Sequence, residues 1–162
     1  MLSACSHLDH SGVRPGVSTL AEVQRSLGPP AMRWSTPEGI ERLAFTTSPM
    51  GYQTWMVTIG AHGRVSTIEN VLTMPHFAHI QAGLSQEDVL RTLGPPYPGW
   101  TIYYRARDEL VWEWRYCDAW AEPARFSVLF DGASGRVRST IAQPERMSMP
   151  WGSGNRREWC SP

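Results

Sequence analysis

Ile80-Gln81-Ala82-Gly83-Leu84-Ser85-Gln86-Glu87-Asp88-Val89-Leu90-Arg91-Thr92-Leu93-Gly94-Pro95-Pro96 reads as a short helix with a cap at one end and a stop at the other. Ser85 is placed to cap the first turn, and Asp88, three residues on, sets a carboxylate beside the free amides there. Val89, Leu90 and Leu93 recur at helical spacing and form one apolar stripe. Gly94 suits the left-handed conformation that ends helices, and the two prolines after it forbid continuation. A helix of about ten residues is marginal alone in water, so the stripe needs something to pack on.

The same unit occurs earlier in the chain. Val13-Arg14-Pro15-Gly16-Val17-Ser18 stands where Ile80 to Ser85 stand later, Thr19 and Glu22 supply a capping box, and Leu20, Val23 and Leu27 supply the stripe. Leu27-Gly28-Pro29-Pro30 returns as Leu93-Gly94-Pro95-Pro96 after 66 residues. A second anchor, Gly60-Ala61-His62-Gly63-Arg64-Val65, returns as Gly132-Ala133-Ser134-Gly135-Arg136-Val137 after 72 residues. Two anchors in the same order mark an internal repeat. The extra residues of the second copy fall between Pro96 and Gly132, with the irregular segment 118–124 as the expected place.

Alternation supplies the packing partner. Leu43 and Phe45 alternate with polar neighbours within 40–47, Trp55, Val57 and Ile59 alternate with Thr54, Met56 and Thr58, and a third strand runs from Val65 to about Leu72. In the second copy Leu110, Trp112, Trp114 and Tyr116 share one face, Phe126, Val128 and Phe130 another, and a strand follows Val137. The predicted fold class is α+β: two tandem repeats, each a helix plus a three-stranded antiparallel sheet, with the helices packed on one sheet face. The predicted sections are a tether (1–12), repeat one (13–73), repeat two (80–142) and a C-terminal tail (143–162). Trp112, Trp114 and Tyr116 either lie beneath the helix as core or line the open face; the matching alternation on the next strand favours core.

The pattern from Ile80 to Pro96, followed by aromatic strands and a Gly-Arg-Val hairpin, resembles the BamE/SmpA/OmlA domain. The likeness spans 80–141, with a second copy over 13–72, about three quarters of the chain. The tandem arrangement also resembles the fold of β-lactamase inhibitory proteins. The resemblance implies a periplasm-facing lipoprotein anchored in the outer membrane. It also implies an envelope-protein partner, since the family includes an accessory component of the β-barrel assembly machine. That component has one copy of the domain where this chain has two, and the family has no catalytic residues to carry over. Leu2-Ser3-Ala4-Cys5 looks like a lipobox, with Cys5 as the lipidated residue. Ser6 after it, rather than Asp, resembles the sorting signal of outer-membrane lipoproteins. Four residues cannot supply the charged start and apolar stretch of a signal peptide, so either the true start lies upstream, the chain was trimmed, or the match is chance.

Composition bounds the alternatives. Lys plus Arg and Asp plus Glu number 15 each in 162 residues, so no basic excess points to nucleic acid. Hydrophobic residues at 41% suffice for a packed core. With Cys5 lipidated, Cys117 and Cys160 remain; in an oxidising periplasm they are expected to pair, the alternative being two free thiols. His76 and His79 share one side of a helical turn but lack the Glu of a zinc-protease helix and any neighbouring Cys pair, so they read as a polar linker. Gly132-Ala133-Ser134-Gly135 is one residue short of a nucleophile elbow and precedes a strand, so it reads as a hairpin turn. Asp108, Glu109 and Glu113 read as a solvated sheet face. No enzyme, metal or cofactor is expected. Trp34, Tyr97 and Trp100 follow the Pro-Pro stops and are expected on connecting segments, where aromatics suit protein binding. The expected function is a lipid-tethered scaffold or adaptor in outer-membrane assembly or envelope integrity. The alternative is an inhibitor of a periplasmic or secreted enzyme such as a β-lactamase, with residues 49–52, and Tyr52 among them, as the plug.

Overall fold

The computed structural model describes residues 12–145 and Cys160. Helix α1 (Leu20–Leu27) starts at Thr19, whose hydroxyl accepts from the Glu22 amide at 3.4 Å while the Glu22 carboxylate accepts from the Thr19 amide at 2.7 Å. Ser85 and Asp88 make the same reciprocal pair, at 3.2 and 2.9 Å, at the start of a second eight-residue helix over 86–93. Both helices stop at glycine, but not in the expected left-handed helical region. Gly28 has φ 80° and ψ −165°, and Gly94 has φ 72° and ψ −176°. That corner of backbone space is open to glycine almost alone.

The predicted α+β class, two repeats of a helix plus three strands with the helices on one face, is overturned. The chain is mostly β, with two four-stranded antiparallel sheets. The first sheet has the order β1 (Met32–Ser35), β2 (Glu41–Thr46), β3 (Thr54–Ile59) and β4 (Val65–Asn70). After the four-residue helix α2 (Met74–Phe77) and the eight-residue helix α3 (Gln86–Leu93), the second sheet has the order β5 (Ile102–Tyr104), β6 (Glu109–Cys117), β7 (Pro123–Asp131) and β8 (Val137–Pro144). The unexpected members are the edge strands β1 and β5. They have four and three residues, too few to show alternation, and they exist because a neighbour pairs with them. Met32 faces Ala44 and Trp34 faces Arg42; Ile102 faces Val111 and Tyr104 faces Glu109.

The chain divides into two compact units. The first holds 12–45 and 55–69 of the described residues, and its core is Val13, Val23, Leu43, Phe45, Val57, Ile59 and Val65. The second holds 46–54, the tip of the β2–β3 hairpin, together with 70–145 and Cys160. Its core gathers Val89 and Leu93 of α3, Trp114 and Tyr116 of β6, and Phe126, Val128 and Phe130 of β7, with Trp112 packed against them. The segment around His76, read as a linker, contains α2, and its Phe77 stacks on Phe126 at 4.0 Å between ring centroids. Strand β8 extends through Pro144, two residues into the segment read as tail.

In each copy the Gly-Arg-Val anchor bonds to the segment just before the helix. Gly16 donates to the Val65 carbonyl, and Val65 to Ser18; in the second unit Gly83 donates to Val137, and Val137 to Leu84. The arginine of each Gly-Arg-Val then reaches back to a carbonyl: Arg64 to Val17 at 2.6 Å and Arg136 to Gly83 at 2.8 Å. The repeat therefore encodes a clasp between the strand after the last turn and the chain just before the helix.

Candidate functional site

Strand β6 alternates between two faces. Trp112, Trp114 and Tyr116 enter the core, as read from the sequence, while Glu113, Arg115 and Cys117 point the other way. The register then sets Arg115 opposite Arg125 and Glu113 opposite Ser127. Two guanidinium groups side by side repel, and Glu145 resolves this by dividing its carboxylate between them. One oxygen accepts from Arg115 at 2.6 and 2.9 Å, and the other accepts from Arg125. Glu113 takes a further bond from Arg125 and accepts from the Ser127 hydroxyl. Arg115 also donates to the Pro49 carbonyl at 3.1 Å and to the Tyr52 hydroxyl at 2.7 Å. The Arg125 guanidinium lies 4.6 Å from the Trp100 ring centre, and that of Arg115 lies 4.4 Å from the Tyr52 ring. Burial pushes the Tyr52 phenol above its ordinary value; Arg115 opposes this and Glu145 reinforces it. Glu113 is thus part of a half-buried ion network, not of a solvated face, and Glu109 is buried as well.

This changes the standing of the expected binding residues. Trp34 is not on a connecting segment: it is half-buried in β1. Tyr52 is 7% exposed and engaged by Arg115, so it is not free to plug a cleft. Tyr97 and Trp100 do lie between α3 and β5, on a single 3-10 turn, and they contact each other edge to face at 4.9 Å. Both are half-buried, and Trp100 serves as a platform for Arg125. Cys5 lies outside the described residues. Cys117 and Cys160 are joined by a disulfide, with 5.5 Å between their Cα atoms. Among the described residues no group of three or more His, Cys, Asp or Glu could hold a metal ion, and His76 bonds the Thr73 hydroxyl at 2.8 Å.

The exposed apolar groups lie elsewhere. Edge strand β5 leaves Ile102, Tyr103 and Tyr104 at 47, 50 and 41% exposure. Tyr103 donates to the Asp108 carboxylate, which raises its phenol above the ordinary value, and Arg107 covers the Tyr104 ring at 4.7 Å. Next to them Arg138 donates to the Arg107 carbonyl at 3.0 Å and pairs with Asp131. Amide and hydroxyl donation from Ser134, with Arg138 behind it, holds the Asp131 carboxyl down at about 2. At the opposite end of β6 the turn over 118–122 presents Trp120 at 83% exposure. The Asp118 carboxylate accepts from the amides of Trp120 and Glu122, at 2.8 and 2.9 Å, and so braces that turn. Sequence reading placed the extra residues of the second copy here but passed over Trp120; a lone Trp between two alanines, flanked by Asp and Glu, was the available signal.

Comparison with family models, with curated proteins and with solved structures finds no match to this chain. Among the described residues no helix is long and apolar enough to cross a membrane.

Proposed function

We propose that the chain is a non-catalytic outer-membrane lipoprotein of the BamE/SmpA/OmlA kind. It is tethered through Cys5, faces the periplasm and acts as an adaptor for an envelope protein. The observation that carries the binding role is β5, an edge strand with three adjacent apolar side chains left in solvent. An edge strand offers backbone groups for strand addition, and its side chains supply selectivity. The aromatic rings of Tyr103 and Tyr104 are already oriented by Asp108 and Arg107, so little ordering remains when a partner docks. The Cys117–Cys160 disulfide fits an oxidising compartment. Of the segment 49–52 that the inhibitor reading takes as its plug, Tyr52 is held by Arg115 while Met50 is 81% exposed.

The test is site-directed photo-cross-linking from position 103 in intact envelopes, with Tyr104→Ser as the comparison and components of the β-barrel assembly machine as the first products sought. Cross-links to those components that weaken in Tyr104→Ser support the adaptor reading. Equal labelling of the outer-membrane proteome in both proteins would sink it.

A further inference from the structure

We draw no further inference here: the strongest candidate, the sheltered side-chain cluster of Arg115 and Arg125 with Glu113 and Glu145 on the face of β6 and β7 away from the core, belongs to the site already described, where each guanidinium group is bonded by a carboxylate of the same chain and nothing in the structure shows a ligand that would displace it.

Discussion

At Gly28 the backbone turns out of α1 with φ 80° and ψ −165°, and a Cβ added there would meet nothing within 4 Å. The whole penalty of Gly28→Ala is therefore conformational, about 1–3 kcal/mol, and the urea midpoint should fall accordingly. An unchanged midpoint would mean that the chain leaves the helix some other way. Asp131 gives a second test at this scale. Its carboxyl is held down at about 2, against an ordinary 3.8, by the Ser134 amide and hydroxyl and by Arg138. The folded value is the lower one, so its stabilising contribution is complete above the ordinary value and is lost as pH falls through about 2. A carbon-detected NMR titration should place the Asp131 midpoint near the lower figure; a midpoint near 4 would contradict the Ser134 bonds. Sequence reading reached the caps because Thr19 and Glu22, and Ser85 and Asp88, lie three residues apart and act locally. It missed the ψ of both glycines, since left-handed and extended exits from a helix demand the same residue.

Strand length decides which elements were legible. Each nine-residue strand, β6 and β7, shows enough alternation for its core face to be read, and Trp114, Phe126 and Val128 are where the pattern puts them. β1 and β5 carry no such record, because pairing with β2 and β6 defines them. The charged face of β6 was misread for a different reason. Its neutralising carboxylate and its cover lie far off in the chain, at Glu145, Tyr52 and Trp100, and local sequence cannot show that Glu113 and Arg115 are sheltered. The Arg115–Glu145 pair has only 9% exposure on either side chain. Glu145→Ala would leave Arg115 and Arg125 adjacent without their shared counter-ion, and breaking such a sheltered pair costs about 3–5 kcal/mol. Thermal unfolding is the measurement. A loss below about 1 kcal/mol, the range of solvent-exposed pairs, would show that water screens the cluster.

For the whole molecule, the long-range covalent tie is the Cys117–Cys160 disulfide, which closes a loop across a sequence separation of 43. That loop contains β7, β8 and Val137, which makes one side of the clasp with Leu84, so the bond restrains the part of the unfolded chain that must assemble most of the second sheet. Chain-entropy reasoning gives a cross-link of this span about 4 kcal/mol of stabilisation. It acts on the second unit, to which both cysteines belong, and not on α1 and its sheet in the first. Cys160→Ser should therefore lower the unfolding midpoint of the second unit by several times the effect expected from losing a single cap such as Thr19, about 1 kcal/mol. Hydrogen exchange resolves the two units: amides of β6, β7 and β8 should lose protection on reduction, while those of β2 and β3 within the first unit keep theirs. Intact mass with and without reductant tests the premise, since two alkylatable thiols in the native, unreduced protein would remove the tie. Equal loss of protection in both units would mean that the chain unfolds as one cooperative body.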